Sequence, residues 1–220
     1  MKRRKGLALL AILAVCGSVV WWYWGDRIEF VLGGAMINVG YRLQDKLHTF
    51  DFEHHQDLTP QQVWEEFEAQ NRMAASVREM WPRSSHHPLV AMVACMDARL
   101  DTNEIAGDTR RYYYVLRLAG SVMSPKEEDM LELAIANGTK LVVFTTHSDC
   151  AAEKVSKDPA RSKDYPNLTQ AIGERKLRFD EFLARPNVRA KVEKGELLVK
   201  WMHIDTITER VLPVSASSVH

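Results

Sequence analysis

Short apolar runs that do not alternate with polar residues constrain the fold of this chain more than any other feature. They cover residues 89–94, 112–118, 141–146 and 197–202, and each is rich in β-branched or aromatic side chains. A strand with one wet face alternates, whereas an unbroken apolar run suits a strand covered on both faces, as in a parallel sheet. Helices are marked around these runs. Ser124, Pro125 and Glu127 supply an N-cap, a first-turn proline and a capping-box glutamate, and Gly138 supplies the stop. Thr59 and Pro60 open another helix, in which Val63, Phe67, Ala74, Val77 and Trp81 fall at helical spacing before Pro82. A third helix covers about residues 167–184, with Leu168, Ile172, Phe179 and Phe182 on one side and Pro186 beyond it. Strands alternating with helices predict an α/β fold, a mostly parallel central β-sheet flanked by helices.

The N-terminal part has a different character. Lys2, Arg3, Arg4 and Lys5 precede residues 6–24, which carry no formal charge and end in Trp21, Trp22, Tyr23 and Trp24. Such a run is long enough for a hydrocarbon core of roughly 30 Å, and the aromatics suit its interface. The sequence therefore predicts an N-terminal transmembrane helix within residues 1–25, a juxtamembrane arm or linker over 26–58, and the α/β domain over 59–220. The basic start would keep the N-terminus in the cytoplasm and place the domain on the periplasmic or extracytoplasmic side. Two alternatives stay open: a cleaved signal, and a lipoprotein box at the LAVC stretch ending in Cys16. Either would leave a secreted or lipid-anchored domain. Formal net charge is zero over 220 residues with both signs scattered. That gives no footprint for nucleic acid.

Three motifs stand at the ends of the apolar runs: CMDAR at residues 95–99, RLAG at 117–120 and HSDC at 147–150. In a parallel sheet, ligands gather beyond the carboxyl ends of the strands. The chain has three cysteines; with Cys16 in the apolar segment, Cys95 and Cys150 remain for the domain. Two thiolates and the His147 imidazole suit zinc, and three protein ligands leave a fourth position open, as in catalytic sites. A Cys95–Cys150 disulfide is the alternative in an exported protein. Bound zinc can lower the pKa of its water to about 7 and so furnish a hydroxide nucleophile. Asp97, held ionised by Arg99, could accept the proton of that water, orient it, or swing onto the metal. An ordinary salt bridge is the alternative for this pair. Arg117, beside Gly120 at a strand end, could line the substrate cleft or tie a dimer interface together.

In this order and at these separations, the three motifs resemble those of the β-class carbonic anhydrases, a resemblance that spans roughly residues 64–207. It implies that Cys95, His147 and Cys150 bind zinc and that Asp97 and Arg99 form the dyad. It further implies reversible hydration of carbon dioxide to bicarbonate, and a homodimer or higher oligomer. The stretch MDARLD also resembles a branch of the family that includes carbonyl sulfide hydrolases, so hydrolysis of carbonyl sulfide or carbon disulfide on the same zinc is an alternative. Three departures bear on the substrate pocket. Ala98 stands where the family has serine, Leu118 where it has asparagine, and Ala151 where a glycine usually follows the second thiol. A glycine there admits backbone angles that alanine resists. A degenerate, membrane-tethered binding protein is the reading those departures support.

Other polar clusters are read blandly. His54–His55 and His86–His87 are expected in exposed loops, and His203 as a hydrogen-bonded structural histidine. Tyr112 to Tyr114 are expected to combine core and dimer packing. Arg110–Arg111 and the basic residues from Arg175 to Arg178 are expected to be solvated surface.

Overall fold

The computed structural model describes residues 2–45, 59–82, 86–107 and 109–214. The chain divides into two compact units, Met1–Trp81 and Pro82–His220. The division falls after the helix with which the sequence reading begins its α/β domain at residue 59.

The first unit holds two helices, α1 (Lys2–Asp45) and α2 (Pro60–Met80). α1 is continuous over 44 residues and does not stop at Asp26 and Arg27, where the apolar run ends. Among the described residues no helix is long and apolar enough to cross a membrane. The first part of the apolar run, residues 6–14, has side chains outside the described set. α2 starts as expected: the Thr59 side chain accepts from the Gln62 N–H and Gln62 Oε1 accepts from the Thr59 N–H at 2.9 Å, a capping box ahead of Pro60. The expected linker, with His54–His55, lies outside the described residues.

The second unit is built on a five-stranded sheet in the order β2-β1-β3-β4-β5. Its strands are β1 (Val90–Cys95), β2 (Tyr113–Leu118), β3 (Leu141–His147), β4 (Leu198–Ile204) and β5 (Val211–Pro213). The first four pair in parallel, and β5 is antiparallel to β4. The helices are α3 (Thr102–Ala106), α4 (Thr109–Tyr112), α5 (Pro125–Ala136), α6 (Ala151–Lys157), α7 (Pro166–Ala184) and α8 (Pro186–Glu193). This is the α/β architecture expected, and it follows from the strand pattern. β1 and β3 lie in the interior of the sheet; Ala91, Val93, Ala94 and Val142 have no exposed surface.

Coverage on both faces does not extend to all four strands. β2 is the edge strand, and Tyr112 and Tyr114 are exposed. Tyr112 ends α4, so the strand starts one residue later than expected. β4 is also partly open, because the three-residue β5 pairs only with Met202, His203 and Ile204.

The main core forms where α5, α7 and α8 meet the sheet: Leu131, Ile135, Phe182 and Val188 pack with Val93, Val142 and Phe144. Phe144 meets Phe179 edge-on at 4.9 Å between ring centroids, and Phe179 continues to Trp201 at 4.5 Å. Each such pair is worth about 0.5–1.5 kcal/mol beyond its buried area. A smaller cluster of Cys95, Leu100, Cys150 and Ile204 sits at the carboxyl ends of the strands. Both thiols of the domain therefore belong to an apolar patch at the rim where a site was expected.

Candidate metal centre

β1 ends on Cys95 and β3 ends on His147, so both residues are the last of their strands rather than the first of the following loops. Cys150 follows a tight turn in which Asp149 adopts a left-handed φ of 57°, and it caps α6. These three residues offer ligand atoms that all lie within 4.8 Å of one another, and all three are buried. The two sulfurs are 4.0 Å apart. A disulfide needs about 2.05 Å, so the thiols are free. Two sulfurs bound at about 2.3 Å to a tetrahedral zinc would stand about 3.8 Å apart, close to what is seen.

The imidazole supplies the second test of fit. His147 Nδ1 lies 2.8 Å from the Ser148 carbonyl, which can only accept, so Nδ1 carries the proton. That leaves Nε2 with its lone pair, and Nε2 is buried without a hydrogen-bond partner among the described residues. A buried polar atom normally finds a partner. Fixing the ring through its other nitrogen is how metal-binding histidines are oriented. A soft thiolate pair with one imidazole suits zinc.

Electrostatics agree. The hydrogen bond from Cys150 holds the Cys95 thiol well below the ordinary thiol range against the opposing effect of burial, with backbone N–H groups helping. The same bond pushes Cys150 up. The opposite shifts favour a proton shared between the two sulfurs, which a divalent cation bound there would displace, letting both carry charge.

Asp97 lies beyond Cys95 in a turn closed by the Leu100 N–H donating to the Asp97 carbonyl at 3.1 Å. Arg99 grips its carboxylate from two sides: Nε donates to Oδ1 at 3.0 Å and Nη2 to Oδ2 at 2.8 Å. The guanidinium holds the Asp97 carboxyl well below the usual carboxylate range. Arg99 Nη2 also donates to the Asp149 carbonyl at 3.2 Å, tying the first motif's loop to the third's. The carboxylate is turned to Arg99 and is not one of the three grouped ligands.

Beside Cys95 and Asp97 opens a cavity of about 230 Å³, walled by Met96, Ala119, Ala151, Ala152, Val155 and Leu168. Liquid water occupies about 30 Å³ per molecule, so the space suits a substrate of a few non-hydrogen atoms. Apart from the Asp97 carboxylate and the Cys95 thiol, its side chains are apolar.

The departures in the motifs fit this frame. Ala98 is exposed at the turn, and Leu118 packs half-buried against the main core. Ala151 opens α6, and the left-handed angle in that turn belongs to Asp149, so the backbone does not require glycine at 151.

Arg117 turns onto the backbone of the 95–100 loop and does not line the cavity. Gly120 is buried with a φ of +60°, and an added Cβ would stand 2.2 Å from Ile172 Cδ1 and 3.2 Å from Arg175 Nη2. The glycine lets α7 approach the strand ends, which brings Leu168 of the same helix to the cavity. Gly120→Ala is expected to destabilise the domain by about 1–2 kcal/mol, mostly through the left-handed angle, since the end of Ile172 can swing aside. Thermal unfolding of the variant and of Gly120→Ala with Ile172→Val checks this. Full recovery in the double variant would show that the clash, not the angle, carries the cost.

Arg175 also departs from expectation. Its side chain is 16% exposed and pairs with Glu153 at 2.7 Å, so it is not solvated surface. Lys176 pairs with Asp180 on the exposed side of α7, whereas Arg178 is half-buried between Glu174, Glu181 and the buried Glu128. His86 and His87 are exposed. His203 has Thr146 Oγ1 at 2.9 Å from Nδ1 and Ser148 Oγ at 3.2 Å from Nε2, so both ring nitrogens are partnered.

Comparison with known proteins agrees with this geometry. A family model described as carbonic anhydrase matches residues 90–208, just over half of the chain. β-Carbonic anhydrase 1 of Mycobacterium bovis and that of Mycobacterium tuberculosis are each 38% identical over 72 residues, covering 31% of this chain and 41% of theirs. The match thus spans about two fifths of the length of these curated relatives. Among solved structures, a tetrameric β-carbonic anhydrase from Sordaria macrospora superposes with a TM-score of 0.52 at 17% identity, over 70% of this chain and 97% of that one. The carbonic anhydrase of Streptococcus mutans does so with a TM-score of 0.51 at 19% identity, over 69% and 97%. At these identities the structural likeness concerns the fold alone. On its motifs and its family match, the chain belongs to the β-carbonic anhydrase family.

Proposed function

We propose that this chain catalyses the reversible hydration of carbon dioxide to bicarbonate and a proton, with zinc held by Cys95, His147 and Cys150. The observation that carries the reading is the convergence of two free sulfurs and the unpartnered His147 Nε2, buried beside a small apolar cavity. Zinc, when bound there, supplies Lewis acidity that makes an attacking oxygen available at neutral pH. The chain's own residues do the rest. The apolar wall of Ala151, Ala152, Val155 and Leu168 admits a linear, uncharged substrate and excludes bulk water. Asp97, fixed by Arg99, accepts a hydrogen bond from the attacking water and so orients its lone pair towards carbon. Both carboxylate oxygens accept from Arg99, which suits a fixed, orienting role, and the proton passes to buffer.

Stopped-flow hydration of carbon dioxide by the zinc-loaded chain is the test. Fast, zinc-dependent turnover is the expected result. A rate equal to that of the metal-free chain would overturn the reading. The same cavity and donors suit carbonyl sulfide or carbon disulfide, so sulfide release from those gases, without carbon dioxide hydration, would reassign the substrate. A zinc-loaded chain inert on all three would be a binding protein.

Two further parts of the reading rest on sequence. The basic start and the uncharged run over residues 6–24 support a retained anchor with the domain on the extracytoplasmic side. Membrane fractionation with mass measurement of the mature chain separates this from signal cleavage or lipidation. The family supports a homo-oligomer, which sedimentation would measure.

A further inference from the structure

We infer that Arg117 is a positioning residue that holds the 95–100 loop, and with it Cys95 and Asp97, in metal-competent geometry. The inference rests on the proposed metal site and concerns how that site is preorganised.

All three nitrogens of the Arg117 guanidinium donate to backbone carbonyls of one short segment. Nε reaches the Cys95 carbonyl at 2.8 Å, Nη2 the Asp97 carbonyl at 2.7 Å and Nη1 the Leu100 carbonyl at 2.6 Å. Arg117 sits on edge strand β2 opposite Ala94, so its side chain extends beside the point where the segment leaves β1. The backbone of this segment is also held by Met96 N–H to the Leu118 carbonyl and by the turn bond from Leu100 N–H to the Asp97 carbonyl, both 3.1 Å; Arg99 N–H donates to Asp97 Oδ1 at 3.0 Å. The first holds the N–H side of the peptide plane after Cys95 and the second shares the Asp97 carbonyl of the plane after Asp97, so each ties one plane to one neighbour. Arg117 clamps the carbonyls of both planes at once and joins them to that of Leu100.

The chemistry of the side chain matters here. A guanidinium presents its donors in a rigid planar fork, whereas an ammonium concentrates them at one point on a flexible stem. Three carbonyls spread over six residues match the fork. Charge-assisted bonds of this kind are about twice as strong as neutral ones. The peptide plane after Cys95 sets the direction of its Cβ and sulfur, and the plane after Asp97 sets that of its carboxylate. Displacing the first would spoil the match between Sγ of Cys95 and the other two ligand atoms, and displacing the second would move the Asp97 carboxylate. Arg117 is not among the residues that line the cavity, and its three hydrogen bonds all go to backbone carbonyls.

The test uses the full chain loaded with cobalt(II), whose visible absorption reports ligand number and geometry. Wild type, Arg117→Lys, Arg117→Gln and the surface control Arg189→Lys are compared for cobalt affinity by chelator competition, for d–d and thiolate charge-transfer bands, and for unfolding temperature. Both Arg117 variants are expected to bind cobalt about 10–100-fold more weakly, the range typical of residues that orient ligands, with shifted d–d bands. The control is expected to match wild type. Arg117→Lys keeps the stem and the charge, and it decides the matter if Arg117→Gln does not fold. Wild-type affinity and an unchanged spectrum in Arg117→Lys, even with a lowered unfolding temperature, would overturn the inference and leave a purely structural role. A wild-type chain that binds cobalt tetrahedrally yet hydrates no carbon dioxide would overturn the proposed reaction and leave Arg117 in place.

Discussion

Cys150→Ser is expected to abolish zinc binding and bring carbon dioxide hydration down to the background rate, a loss of several orders of magnitude. Three protein ligands are the minimum that keeps a catalytic zinc in place, and a serine hydroxyl, which stays protonated at neutral pH, is no substitute for a thiolate. The fold should survive. Cys150 is buried in a small cluster with Cys95, Leu100 and Ile204, outside the main core of Phe182, Leu131 and Val142. The variant should therefore keep its circular dichroism while metal analysis finds no zinc. The metal-free protein offers an independent readout on Cys95. Its thiol lies well below the ordinary thiol range chiefly because Cys150 donates to it. In Cys150→Ala, which removes that donor, Cys95 should rise towards the ordinary thiol range, so its thiolate absorbance should appear at higher pH than in the metal-free wild type. Full activity in a zinc-free variant would exclude the metal mechanism.

The parts of the site that were legible from sequence share one property: they sit at the ends of strands that the apolar pattern reveals. Cys95 and His147 close β1 and β3, interior strands whose unbroken apolar runs leave little ambiguity. Asp97 and Arg99 follow within one turn of Cys95, and their pairing is a local matter of two residues' separation. α5 and α7 were equally plain: proline and a capping box mark the start of α5, and apolar periodicity with the following Pro186 marks α7.

What stayed hidden depends on long-range geometry. Nothing in RLAG says that Arg117 reaches backbone carbonyls twenty residues earlier in the chain; that requires β2 to lie beside β1 in the observed register. Gly120 was noticed, yet its reason is the approach of Ile172 from a helix fifty residues later. Arg175 looks like one member of a basic surface run until α7 is docked and Glu153 of α6 closes over it. β5 has only three residues and no pattern of its own. It forms because Asp205 folds the chain back, its Oδ1 accepting from the N–H groups of Ile207 and Thr208 at 2.9 and 2.8 Å. An aspartate followed three residues later by threonine is a turn signal, and it was the one available clue. The openness of β2 was missed for a related reason: an apolar run does not disclose whether its strand lies inside the sheet or at its edge.

Asp97→Asn should separate metal binding from catalysis. The substitution leaves all three grouped ligands in place, so zinc should bind at wild-type stoichiometry. Stability should change little, since the Arg99 side chain is 50% exposed and the pair is an open one; such pairs are worth about 0–1 kcal/mol. The consequence lies in the geometry of the cavity mouth. In the native chain both carboxylate oxygens accept from Arg99, which also holds the Asp149 carbonyl next to Cys150. An asparagine has one oxygen for these donors, and its amino group meets either the guanidinium or the incoming water. The first contact is repulsive, and the second presents a donor where an acceptor is needed. A positioned group of this kind contributes about 10²–10⁴-fold, and kcat for carbon dioxide hydration is expected to fall within that range while zinc content stays unchanged. A zinc-loaded Asp97→Asn enzyme with undiminished kcat would reduce Asp97 and Arg99 to a salt bridge that joins two loops. Loss of zinc together with activity would instead make Asp97 part of the metal's support, because the Arg99 bond to Asp149 would then be what holds Cys150 within reach of Cys95 and His147.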